Sequence, residues 1–118
     1  MTRLPAAGRA NKPPKWPLAR SSKREGDLWA TVWTLPQAVV WEQLGWFHEV
    51  ALYVRLLAAS EQPKCPPIQL VERRQQADRL GLTPMAMLRL RWEIVDMPTE
   101  AEEQNVVQLR SRIKAVDA

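Results

Sequence analysis

Cysteine is nearly missing from this sequence: Cys65 stands alone, so there is no disulfide framework, and a single thiol suits a reducing compartment. Histidine is equally scarce. His48 is the one imidazole, and no His/Cys cluster has metal-ligand spacing. The four glycines, Gly8, Gly26, Gly45 and Gly81, lie too far apart to make a phosphate-cradling loop, which argues against nucleotide hydrolysis. No run of about 20 uncharged apolar residues occurs, so no membrane span is expected, and no apolar segment opens the chain as a secretory leader would. Carboxylates are scattered, and neither a Ser/His/Asp nor a Cys/His set is suggested. The expectation is a non-enzyme with no cofactor and no metal.

Acidic residues are missing from one region in particular. Arg3, Arg9, Lys12, Lys15, Arg20, Lys23 and Arg24 supply seven positive charges before the first acid, Glu25, whereas the remainder holds ten basic and thirteen acidic side chains. The net charge of +4 is therefore an N-terminal property. Residues 1–24 contain four of the ten prolines and few branched aliphatics, so they cannot offset chain entropy by burial among themselves. A disordered or extended basic arm follows. Such an arm, with Trp16 as its aromatic, suits a nucleic-acid tether held by phosphate contacts; seven charges on seven phosphates would give a salt slope of log affinity near about −6. A solubilising tail that touches nothing is the alternative.

What the chain has in abundance is one apolar stretch, Pro36 to Ala59. Val40, Leu44, Phe47, Ala51, Val54 and Ala58 recur at helical spacing, and Val39, Trp46, Val50, Tyr53 and Leu57 form a second stripe beside them. Trp41, Leu52 and Leu56 add a third. The pattern predicts a helix about 36 Å long, apolar on more sides than one neighbour can cover. Trp46, Val50, Tyr53 and Leu57 are accordingly expected at a subunit contact.

Around it the chain reads as short helices. Asp27 is a plausible N-cap for LWATVWT, whose Trp29 and Trp33 fall on one side. A proline-rich loop from Glu61 to Pro67 should return the helix at 68–80 antiparallel to the long one, making a hairpin over 36–80. Thr83 and Pro84 open a further helix predicted to run to Asp96, and Thr99 with Glu102 forms a capping-box pattern before a last helix with Val106, Leu109, Ile113 and Val116 as its stripe. The expected fold is all-α: a basic disordered arm at 1–24, a helical oligomerisation core at 27–96 and a C-terminal helix at 99–118.

From Arg73 to Trp92 the residues Ala77, Gly81, Met87 and Leu90 fall where a helix-turn-helix needs a tight crossing, a turn and core anchors. Of the outward positions, only Arg89 could bond a base edge. A plain helical corner with a glycine turn accounts for the same residues; a small regulator reading DNA through 73–92 is the alternative function.

The order of these parts, with the helix–L-G-L-T-P–helix run from Glu72 to Trp92, the W-x3-W beginning at Trp29 and the run ALYVRLLAA, resembles the small terminase subunits of tailed bacteriophages, particularly those of actinobacterial hosts. The similarity covers roughly residues 27–96. It implies a non-catalytic ring-forming protein of the host cytoplasm. Such a protein recognises double-stranded viral DNA at the packaging start and delivers it to the large terminase subunit. Many relatives carry a helix-turn-helix ahead of the hairpin, where this chain has its basic arm. The resemblance thus leaves DNA contact to the arm bases or to a ring surface bearing Arg89 and Arg91.

Overall fold

Ser22 and Glu25 set the first helix. The Ser22 hydroxyl accepts from the Glu25 backbone N–H at 3.1 Å, and the Glu25 carboxylate accepts from the Ser22 N–H at 2.8 Å, a reciprocal capping box. Helix α1 therefore spans Lys23–Val32 rather than starting after Asp27, and it buries Leu28, Trp29 and Val32. The computed structural model describes residues 1–96 and 107–114.

The long helix expected from Pro36 is two helices, α2 (Ala38–Leu44) and α3 (Phe47–Ser60). Gly45 is the reason. It takes φ 72°, a left-handed conformation that is cheap only without a Cβ, and donates to the Glu42 carbonyl while Trp46 donates to the Trp41 carbonyl at 2.9 Å. That paired pattern ends a helix even inside an unbroken apolar run. The chain then re-enters helix at Phe47 in a new direction.

Helix α4 (Pro67–Arg79) returns along α3, and the Gln76 side chain donates to the Glu49 carbonyl at 3.1 Å, joining the end of α4 to the start of α3. This is the predicted antiparallel hairpin. It ends in the same hydrogen-bond pattern as α2, with Gly81 donating to Asp78 and Leu82 to Ala77. Trp41 of α2 and Gln37, its N-cap residue, reach this turn: Trp41 Nε1 donates to the Leu80 carbonyl at 2.9 Å and Gln37 Nε2 to the Gly81 carbonyl at 3.2 Å. Thr83 then caps α5 (Pro84–Leu90), accepting from the Ala86 N–H.

Helix α5 stops six residues earlier than its apolar pattern suggests. Arg91 turns left-handed, and Trp92–Val95 forms a strand, β2, pairing in parallel with β1 (Thr2–Pro5) at the N-terminus. The run W-E-I-V is rich in β-branched and aromatic residues; Trp92 is buried, while Ile94, two residues on and on the same face, is exposed. The fold is thus mostly helical with one short two-stranded sheet, where an all-α chain was expected.

That sheet also corrects the expectation of a disordered arm. Leu4 sits opposite Ile94 and is fully buried. The Trp29 indole donates to the Pro14 carbonyl at 2.7 Å, Arg9 N–H donates to Thr34 at 3.2 Å, and a Cβ on Gly8 would meet the Thr34 oxygen at 1.8 Å. The arm lacks apolar residues to fold alone, but it has enough to dock. Tryptophans knit the layers together: Trp29 and Trp33 meet edge to face, as do Trp33 and Trp41, and Phe47 stacks on Trp33.

Residues 107–114 form a helix, α6, all of whose residues are exposed. The expected capping box at Thr99 and Glu102 lies outside the described residues, as do Val106 and Val116.

Leu4→Ala should lower unfolding free energy by about 2–4 kcal/mol, the usual loss for a fully buried leucine. Urea denaturation followed by circular dichroism measures it; a midpoint identical to the parent would mean that the first strand contributes nothing.

Candidate nucleic-acid interface

A guanidinium makes a planar fork and a lysine ammonium a point charge, and the N-terminal segment separates the two. Arg9 grips the Glu42 carboxylate through Nε and Nη2, donates to the carbonyls of Asn11 and Lys12 at 3.1 Å, and stands 5.3 Å over the Trp33 ring. Its side chain is only 8% exposed, so it is a structural group. Arg24 holds Glu61 with two bonds, at 2.8 and 2.7 Å, and Arg3 faces Glu93 at 3.5 Å on the open surface. The hydrogen-bonded Arg24 keeps the Glu61 carboxyl below the usual range.

The other four arm bases differ. Lys12, Lys15, Arg20 and Lys23 are exposed and make no ion pair among the described residues. They project from a segment whose backbone is fixed at several points. Arg55 of α3 provides two of these: its guanidinium donates to the carbonyls of Ala19 and Arg20 at 2.8 and 3.1 Å, binds Glu25 at 2.7 Å, and lies 5.5 Å from the Trp16 ring centroid. Trp16 in turn meets Trp29 edge to face at 5.1 Å. Of the acids near the arm, Glu25, Glu42 and Glu61 are each engaged by an arginine, while Asp27, one turn after Lys23 on α1, makes no ion pair among the described residues and lies close enough to act on Arg24.

Arg89 and Arg91 are also exposed, and the Arg91 carbonyl accepts from the Thr2 N–H at 2.8 Å, beside β1. Helix α5 has seven residues, and beside Arg89 it turns Met85 and Leu88 outward, at 72% and 65% exposure. Apolar side chains at those positions offer a base edge no hydrogen bond. The Gly81 turn lets α5 pack on β2 with Trp92 against the glycine, a corner built for packing.

The residues expected at a subunit contact divide. Val50 is fully buried and Tyr53 nearly so, both inside the chain's own core. Trp46 and Leu57 are half-buried against that core. Trp46 lines a cleft of about 390 Å³ with Glu49, Leu52, Gln76, Arg79 and Leu80. Besides Leu52 in this cleft, exposed apolar side chains include Leu44, Ile68, Met85 and Leu88, together with Leu109 and Ile113 on α6. The helical period could not reveal which of three stripes faces inward.

A second depression, an open groove of about 470 Å³, is lined by Pro14, Lys15, Trp16, Pro17 and Phe47. Sequence reading singled out Trp16 but not its pairing with Phe47, for which the only local signal was an aromatic at the start of a helix. Among the described residues no three His, Cys, Asp or Glu side chains converge as a metal site, and no helix is long and apolar enough to cross a membrane.

The Glu25–Arg55 pair gives this region a pH dependence. Burial alone would push the Glu25 carboxyl up, but its bonds from Arg55 and from Ser22 outweigh that, and the net displacement is downward. The unfolded chain then binds the proton more readily. The pair's contribution is complete above the ordinary carboxylate range and is lost as pH falls through it and below. Glu25→Gln should flatten the acid limb of a stability-against-pH curve, and Arg55→Ala should cost about 2 kcal/mol at neutral pH. An unaltered acid limb in Glu25→Gln would refute this role.

No protein-family model, curated protein or solved structure matches this chain.

Proposed function

We propose that this chain is a non-catalytic, self-associating DNA-binding protein of the small terminase type. In this reading it recognises double-stranded viral DNA and delivers it to a large terminase subunit that carries the catalysis. The observation that carries the DNA-binding part is the display of Lys12, Lys15, Arg20 and Lys23, unpaired and exposed, on a segment clamped to the helical body. A fixed row of cations loses less conformational entropy on meeting phosphates than a free tail does. Self-association is supported by the exposed apolar side chains of α4 and α5, among them Ile68, Met85 and Leu88. The terminase assignment itself rests on the sequence pattern from Glu72 to Trp92.

Because Arg9 and Arg24 are committed to glutamates and Arg3 faces one, four phosphate contacts replace the seven that composition allows. The salt slope of log affinity should then lie near about −4. Replacing Lys12, Lys15, Arg20 and Lys23 together by alanine should flatten that slope and weaken duplex binding strongly, without regard to sequence. Replacing Arg89 and Arg91 should weaken it modestly and equally for all sequences. A large, sequence-specific loss in the Arg89/Arg91 variant would instead favour a regulator reading DNA through 73–92. Solution mass tests the assembly: many copies in a closed ring are expected, and a monomer would overturn that part.

A further inference from the structure

The groove beside Lys15 has a composition unlike the rest of the surface. Four of its five lining residues, Pro14, Trp16, Pro17 and Phe47, are apolar, two of them aromatic, and the one polar side chain is a cation, Lys15. Both rings are held. Phe47 stacks on the fully buried Trp33 at 5.6 Å with 25° between planes, and Trp16 is braced by Trp29 and by the Arg55 guanidinium. The Trp16 indole N–H is buried without a hydrogen-bond partner, so the ring offers the groove π surface and no donor.

The surrounding charge is of one sign. Lys12 and Lys15 are three residues apart, as are Pro17 and Arg20, so the flanking cations lie within about 11 Å of the groove's own residues along the chain. Arg55 adds nothing to this balance, since Glu25 matches it. A ligand for such a place carries a flat apolar face and a repeating negative charge. A peptide backbone would find almost no donors or acceptors on these walls, and duplex DNA keeps its base faces stacked away and presents phosphates alone.

We infer that the groove of Pro14, Trp16, Pro17 and Phe47 takes an unpaired nucleobase of single-stranded DNA, with the adjoining phosphates held by Lys12, Lys15 and Arg20. The inference rests on the DNA-binding reading above and adds a preference for melted or frayed strands. Aromatic platforms beside cationic tracks bind single strands with little regard to sequence, because every base has a π face.

The test compares three fluorescent probes of equal length on the full chain by anisotropy at low salt: an oligothymidine strand, an abasic strand with the same phosphates, and a duplex. Oligothymidine should bind about tenfold tighter than the abasic strand, the scale of one base stacked on an aromatic side chain. Trp16→Leu and Phe47→Leu should bring oligothymidine close to the abasic value while leaving the duplex unchanged, and Lys15→Glu should weaken all three. Equal affinity of the parent protein for oligothymidine and the abasic strand would overturn the groove assignment, whatever the variants do to folding. If duplex binding survives that result, the DNA-binding reading stands without the groove; if none of the probes binds, that reading falls.

Discussion

Trp33 is the side chain on which the rest of the structure depends. It is fully enclosed just past the end of α1, where it touches Trp29 of α1, Trp41 of α2, Phe47 of α3 and the guanidinium of Arg9 from the N-terminal segment. One indole thereby fixes four pieces of chain in relation to each other. The edge-to-face geometry has an electrostatic basis, because ring edges are positive and faces negative, and the Arg9 cation sits over a face for the same reason. A chain of this length has a modest core, and concentrating tryptophans at one junction gives it large apolar area from few residues.

The same junction explains how charge is divided along the first 24 residues. Arginine can be half-buried at a carboxylate and still satisfy its donors, so Arg9 and Arg24 become fasteners for Glu42 and Glu61, just as Arg55 is for Glu25. Lysine makes a poorer fork, and all three lysines of the segment are left in water. Arg20 joins them: it is exposed, its backbone is left-handed at φ 50°, and its carbonyl is taken by Arg55. Counting bases therefore overstates the surface charge available to a polyanion.

Much of the helical fold was legible in the sequence, for local reasons. Thr83–Pro84 announces α5, the prolines at 66 and 67 announce α4, and apolar periodicity announces the hairpin. The S-x-x-E at Ser22 was equally readable, although Asp27 competed for the role. Gly45 could be seen in the long apolar run, but whether a glycine is tolerated or ends a helix depends on the carbonyls left to it. The strand pair was not legible: T-R-L-P carries no alternation worth the name, and its partner lies some 90 residues away, inside what reads as the end of a helix. Which apolar stripe is buried was hidden as well, because Val50 and Tyr53 are inside through the packing of α1 and α4, not through anything local to α3. The Trp16–Phe47 groove follows from the same docking and shares its invisibility.

The pairing of β1 with β2 also bears on how the chain comes to be folded. A strand at residues 2–5 whose partner among the described residues is at 92–95 can pair only after the helices between them have been made. Until then its leucine is uncovered and its cations are unfastened. Closing so long a loop ties the two ends of the helical body into a ring of chain, a high-contact-order step that should be the slowest of the folding reaction. Before that closure residues 1–24 are a free polycation of seven charges, not yet fixed against the helical body.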